Sequence, residues 1–267
     1  MQIIAVTTIV TCALVIDNVI AAEDQHAPWG YKTNDTRMAG PNQWTTNYPM
    51  CNGQRQSPID ILSTTDNSFH KRSLTFSGTC NNFNVTQSVD SVFMSVNGGT
   101  CIVTTNGTSY NLKQFHMHVP SEHTLNGKHL DGEMHFIHSN EKNSTLLVMG
   151  VFLTAAKDKS DPWVVSVLNA MDQVSANVTV STSLAPYANL INKVADMQGV
   201  FNYAGSLTTP ACDEIVNWWV VKRPVDVTTS DLSRLQFHLR QLNTTDDGKN
   251  ARPVQPLNGR IVTMWLS

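Results

Sequence analysis

Gln114-Phe115-His116-Met117-His118 and, further along, Glu133-Met134-His135-Phe136-Ile137-His138 decide how this chain is read. Six of its nine histidines fall between His116 and His138. On a strand, residues two apart point to the same face, so the imidazoles of His116 and His118 converge. If the second stretch is a strand paired with the first, His135 completes three nitrogens directed at one point. Three neutral imidazoles with water as the fourth ligand make an open, catalytic zinc site. A closed structural site takes a fourth protein ligand, often Cys, and none lies nearby. Glu133 shares a face with His135, and Gln114 with His116. Each can accept the outer ring N–H of its neighbour and fix its tautomer. His138 has the opposite parity and is assigned to a different environment.

Around these stretches the sequence reads as a large sheet with a few peripheral helices. Strand character recurs at Ser91–Val96, Thr100–Thr105, Tyr110–His118, Glu133–His138, Ser144–Leu153 and Ile215–Lys222. Asn97-Gly98-Gly99 and Asn106-Gly107 mark turns, the latter a strong hairpin signal. Leu146 to Leu153 is nearly continuous apolar sequence, as in a strand buried on both faces. Helical spacing follows Asp161-Pro162 as far as Val174, and runs from Ser230 to Leu242. The expected class is mainly β with peripheral helices (α+β).

The chain has 267 residues, a net charge of −3 and 41% hydrophobic residues. That balance supplies a core and excludes the basic surface a nucleic-acid binder needs. No repeat, charge block or linker divides it, so one domain is expected over residues 23–267. Residues 1–22, an apolar run ending in Val19-Ile20-Ala21-Ala22, resemble a secretory leader. No later stretch approaches the ~18–20 apolar residues of a membrane span. Loss of the leader would remove Cys12 and leave Cys51, Cys80, Cys101 and Cys212. An even number in a secreted chain suggests two disulfides, with three connectivities open. Asn-x-Ser/Thr sequons at Asn34, Asn84, Asn106, Asn143, Asn177 and Asn243 are compatible with a secretory route. About four would arise by chance in so Asn- and Thr-rich a chain.

With the histidine stretches, further blocks appear in one order across residues 23–267: Trp29-Gly30-Tyr31, Gln56-Ser57-Pro58-Ile59-Asp60-Ile61, Pro120-Ser121-Glu122-His123, Tyr203-Ala204-Gly205-Ser206-Leu207-Thr208-Thr209-Pro210 and Asn250-Ala251-Arg252-Pro253-Val254-Gln255-Pro256-Leu257. Together they resemble the α-class carbonic anhydrases. The resemblance implies a mostly antiparallel, twisted sheet with a conical cleft and a zinc ion held at its floor by His116, His118 and His135. The implied reaction is reversible hydration of carbon dioxide to bicarbonate. Zinc lowers the pKa of its water to around 7 and so makes a nucleophile at neutral pH. Glu122 and Thr208 resemble the family's gatekeeping pair, with the carboxylate accepting the Thr hydroxyl proton and the Thr208 N–H receiving a substrate oxygen. Gln114, Glu133 and Asn250 are implied supports of the zinc ligands. Ile137, Val148, Leu207, Val216 and Trp218 align with the apolar substrate wall, and Thr209 stands beside Thr208.

The resemblance also implies a Cys51–Cys212 bridge, which leaves Cys80 and Cys101 for the second. It includes one departure. The family's fastest members carry a histidine part-way up the cleft as a proton relay, and here that position aligns with Asp90. An ordinary Asp has a pKa near ~3.9, poorly matched to a group near 7. His70 is a second candidate for the rim. The competing expectation is a secreted relative that has lost catalysis and serves in binding, storage or a matrix. Such relatives usually lack a zinc ligand, and none is lacking here. A general zinc esterase is a third reading, unsupported by any Ser nucleophile motif.

Overall fold

The computed structural model describes residues 29–63, 70–71 and 74–266. The expected leader, residues 1–22, lies outside them. Seven strands position the site: β1 (Asn82–Gln87), β2 (Val92–Val96), β3 (Thr108–His118), β4 (Gly132–Asn140), β5 (Leu146–Ala156), β6 (Val200–Gly205) and β7 (Val216–Thr228). Among the described residues they belong to a twelve-stranded sheet whose central order is β1-β2-β3-β4-β5-β7-β6. Val180–Ser183 pairs outside β1, and Thr263–Leu266 then His70–Lys71 continue beyond β6. Neighbours are antiparallel except β5–β7 and the last pair. The sheet is thus mixed but mostly antiparallel, as expected for the fold class.

Strand alternation sorts the side chains onto two faces. One face places Phe115, Met117, Met134, Phe136, Met149 and Trp219 against three helices. These helices are Pro162–Met171, Tyr187–Gln198 and Thr229–Arg240. The opposite face places Ile137, Val148, Phe152, Tyr203, Trp218 and Val220 in a second apolar cluster. The histidine set shares this second face. β5 is buried along Leu146–Leu153, which explains its unbroken apolar run.

The two helices read from the sequence are present, each slightly shorter than expected. Asp161 caps the first by accepting from Trp163 N at 2.9 Å, and Thr228 caps the third by accepting from Asp231 N at 3.2 Å. The Tyr187–Gln198 helix was not expected. It starts after Pro186 with no side-chain cap and stops at Gly199, whose φ of 89° ends the helix. β7 runs past the expected Lys222, through Pro224. The β5–β7 register shifts between Val151 and Leu153, opposite this region, so the ladder is already irregular where proline lacks its N–H. The strand holding His70 is the sheet's edge, paired with Trp265 and five strands from β4.

Two disulfides are formed, Cys51–Cys212 and Cys80–Cys101. The first ties the Ser206–Ile215 connection between β6 and β7 to the segment before Gln56.

Candidate metal centre

The β3–β4 register sets His135 opposite His116, Glu133 opposite His118 and Ile137 opposite Gln114. The three imidazoles therefore meet on one face, with ring centroids 5.0 Å apart for His116–His118, 5.5 Å for His116–His135 and 4.5 Å for His118–His135. One nitrogen of each lies within 4.8 Å of the others. The outer nitrogens are all held by acceptors. His116 Nδ1 donates to Gln114 Oε1 at 2.9 Å, His118 Nδ1 to the Asn250 carbonyl at 2.8 Å, and His135 Nε2 to Glu133 Oε1 at 3.0 Å. These bonds fix the tautomers and leave lone pairs on His116 Nε2, His118 Nε2 and His135 Nδ1. Burial, followed by the neighbouring imidazoles, pushes His116 well below the ordinary histidine pKa. Burial also lowers His118, against the opposing pull of Glu122. Neutral rings are what a metal requires.

Gln114 and Glu133, expected from strand parity, and Asn250, implied by the resemblance, are in place, and the last two do more than hold a ring. Asn250 also takes the Val119 N–H on Oδ1 at 2.8 Å and donates to Met117 O at 3.0 Å, which fixes the end of β3. Glu133 accepts four bonds: Oε2 from the backbones of Glu122 and His123, both at 2.9 Å, and Oε1 from His123 Nδ1 at 2.7 Å as well as from His135. Burial pushes this carboxyl up, but the two imidazoles outweigh it and hold the pKa well below the usual range. His123, Glu133 and His135 could also be viewed as a second ligand triad. Their donors and acceptors are already spent on one another, so the first triad is the better metal candidate.

The role of His123 was not legible from strand pattern, because it lies outside the long strands. Its Nε2 is 2.6 Å from Tyr203 Oη, which bonds Ser57 Oγ at 2.9 Å. Ser57 and Ser206 exchange two further bonds, at 2.9 and 3.1 Å. A buried polar chain thus runs from His135 to the Thr208 connection. The residues of this chain all stand in quoted sequence blocks, and that was the available signal.

Glu122 is fully buried. Its Oε1 accepts from the Arg252 backbone at 2.8 Å. Its Oε2 has no hydrogen-bond partner and lies 3.6 Å from His118 Nε2 and 3.8 Å from His135 Nδ1. The Thr208 hydroxyl expected on this carboxylate makes no hydrogen bond to Oε2 here, although Thr208 is itself buried. Ile137, Val148, Val216 and Trp218 lie in the apolar cluster on the histidine face, with Leu207 packed against it. The Trp218 ring centroid is 4.8 Å from that of His135. Thr209 accepts from Cys212 N at 2.8 Å and so helps close the connection. Asp90 stands in the turn before β2, half-buried, and accepts from Ser88 Oγ at 2.6 Å. No described bond joins it to the histidines.

The donor set suits a metal ion. His118 Nε2 is buried with no hydrogen-bond partner and, like its two counterparts, presents a lone pair. Three imidazole nitrogens with a free approach favour zinc over the hard, oxygen-preferring cations.

Comparison with known proteins agrees with this geometry. The family model described as "Eukaryotic-type carbonic anhydrase" matches residues 39–265. A carbonic anhydrase of Neisseria gonorrhoeae is 30% identical over 91% of this chain and 90% of its own. Alpha carbonic anhydrase 7 of Arabidopsis thaliana is 30% identical over 98% of this chain and 93% of its own. The solved α-carbonic anhydrase of Thermovibrio ammonificans, in complex with the inhibitor sulfanilamide, superposes with a TM-score of 0.73 at 32% identity, covering 88% of this chain and 98% of that one. With the family model spanning most of its length, this chain belongs to the α-carbonic anhydrases, enzymes that hydrate carbon dioxide.

Proposed function

We propose that the enzyme works with one zinc ion held by His116 Nε2, His118 Nε2 and His135 Nδ1. The observation that carries this reading is the set of three converging lone pairs, each fixed by a bond on the far side of its ring. Bound there, zinc supplies Lewis acidity and brings a water's pKa down to around 7. The chain's own residues supply orientation. Gln114, Asn250 and Glu133 hold the ligand rings, and ionised Glu133 strengthens His135 as a donor. Glu122 Oε2 is free to accept the Thr208 hydroxyl proton, which would leave Thr208 Oγ1 able only to accept. The Thr208 N–H is the proposed donor to a bicarbonate oxygen, with Thr209 beside it. Ile137, Val148, Leu207, Val216 and Trp218 give uncharged carbon dioxide an apolar wall that excludes water.

Asp90 is the proposed proton relay, slower than a histidine would be. We assign the chain to the extracellular space, as a single domain after removal of residues 1–22. The two disulfides support that assignment because such bonds persist in oxidising compartments. Sequons at the exposed turn residues Asn106 and Asn177 fit a glycoprotein.

The experiment is metal analysis of the purified protein with stopped-flow hydration kinetics. About one zinc per chain is expected, and His118→Ala should lose most of the zinc and nearly all activity. A His118→Ala protein that retains both would refute the ligand set.

A further inference from the structure

Arg252 is 3% exposed, so its guanidinium carries charge into the interior. A charge placed there is costly unless it is hydrogen-bonded and balanced. The hydrogen bonds are present. Nη1 donates to Gln56 Oε1 at 2.9 Å and to Ser57 O at 2.8 Å, and Nη2 to Cys51 O at 3.0 Å. The group also stands 5.6 Å from the centroid of the Trp44 ring. All three acceptors are neutral, so none balances the charge. Burial works against the guanidinium's charge, and the carboxylate that opposes this is Glu122, which attracts the charge and whose Oε1 accepts the Arg252 backbone N–H at 2.8 Å. The segment gripped by the guanidinium is itself fixed. Gln56 Nε2 donates to Cys212 O at 3.2 Å and Glu214 Oε1 at 3.0 Å, while Ser57 N donates to Ser206 Oγ at 2.9 Å.

We infer that Arg252 is a positioning residue for Glu122: anchored in residues 51–57, it fixes the N–H that holds Oε1 and supplies the positive charge opposite the buried carboxylate. The inference rests on the proposed role of Glu122 in orienting Thr208 at the zinc site. It makes the disulfide-tied Cys51 segment and the Glu122 carboxylate one mechanical unit. A simple structural plug would use the same side-chain bonds but would be indifferent to the charge at position 122.

That difference is testable with Arg252→Gln, Glu122→Gln and the double variant, each zinc-loaded and zinc-stripped. Arg252→Gln should keep about one zinc per chain and lose about 10-fold or more in kcat/KM. In the Glu122→Gln background the same replacement should change kcat/KM by less than about threefold, because neighbours acting through one group are not additive. In the zinc-stripped proteins, Arg252→Gln should melt below the double variant, since Glu122→Gln removes the charge left unbalanced. Equal losses in both backgrounds, with the double variant melting lowest, would reduce Arg252 to a plug and overturn the inference. Arg252→Lys keeps charge without the planar fork. It should recover most of the melting temperature lost in Arg252→Gln but not all of the kcat/KM. If Arg252→Gln does not fold, the cycle of Arg252→Lys with Glu122→Gln is read for the same non-additivity in kcat/KM. A zinc-loaded wild type that does not hydrate carbon dioxide would refute the functional reading instead, and the zinc-stripped melting comparison would still decide the charge pairing.

Discussion

Gly150 stands opposite His135 in the β4–β5 register, and a Cβ there would lie 2.8 Å from Glu133 Oε1 and 3.4 Å from Val220 Cγ2. A methyl group would have to displace the carboxylate that holds both His135 and His123. Gly150→Ala is therefore expected to weaken zinc affinity about 10- to 100-fold, the usual effect of disturbing a ligand's hydrogen-bonded support. Competition with a chelator checks this, and unchanged affinity would show that Glu133 adjusts without cost. At the same scale, strand parity made Gln114 and Glu133 legible as supports, because a period of two is written in the sequence. The Asn250 carbonyl on His118 was not legible that way, since a backbone acceptor leaves no residue-type signature. Asp90 is the residue whose proposed role departs most from the fast pattern. If it is the relay, proton transfer limits turnover, and small imidazole-type buffers should raise kcat with little effect on kcat/KM. Asp90→His should raise kcat at low buffer and flatten that buffer response; the same response in both proteins would place the relay elsewhere.

The two disulfides differ in what they close. Cys51 and Cys212 are 161 residues apart, and Cys80 and Cys101 are 21 apart. The chain-entropy model gives about 5 kcal/mol for the first loop and about 3 kcal/mol for the second. The first bridge also anchors the connection that carries Thr208, whereas the second joins the end of Thr75–Thr79 to the strand Thr100–Thr105. Replacing Cys51 and Cys212 with Ala should lower both the urea midpoint and turnover, while the Cys80/Cys101 pair replaced in the same way should lower the midpoint alone. Urea titration and hydration kinetics on the two double variants decide it, and equal kinetic losses would refute the distinction. Element by element, the central strands could be read because their apolar periodicity and Asn-Gly turns agree. The Tyr187–Gln198 helix could not, because its start has no side-chain cap to mark it. Its Leu190-Ile191 and Val194-Ala195 pairs do have helical spacing, and all four are buried against the sheet.

Across the whole molecule, His118, His135, Glu122, Glu133, Thr208 and Asn250 are buried, whereas Asp90 is half-buried in a turn. The class of fold and the histidine triad could be read because both follow from local periodicity. The buried polar chain from His135 to Ser57, and the grip of Arg252 on residues 51–57, depend on contacts between segments far apart in sequence. The same burial predicts how the fold responds to acid. His138, on the helix side of β4, donates from Nδ1 to the carbonyls of Phe136 and Leu147 at 3.0 and 3.1 Å, and its Nε2 lies 2.8 Å from Tyr187 Oη. Burial lowers its pKa to about 4. Between the unfolded value near ~6.5 and this folded value, the unfolded chain binds a proton that the native state does not, so stability falls as pH drops through that window and this contribution levels off below it. The loss from this one ring is about 3 kcal/mol. Asp172 and Glu214 act lower. Arg234 holds the Asp172 pKa down, and hydrogen bonds from Gln56 and Arg55 outweigh burial at Glu214, so both carboxylates withdraw their stabilisation only as pH falls below about 4. His116 and His118 share the sign of His138, which is why the test compares zinc-free wild type with zinc-free His138→Gln rather than reading one curve. Urea midpoints should fall between pH 6.5 and 4 in both proteins, but less steeply in the variant, and the two slopes should coincide below pH 4. Parallel curves over the upper window would mean that His138 takes up its proton inside the fold without penalty.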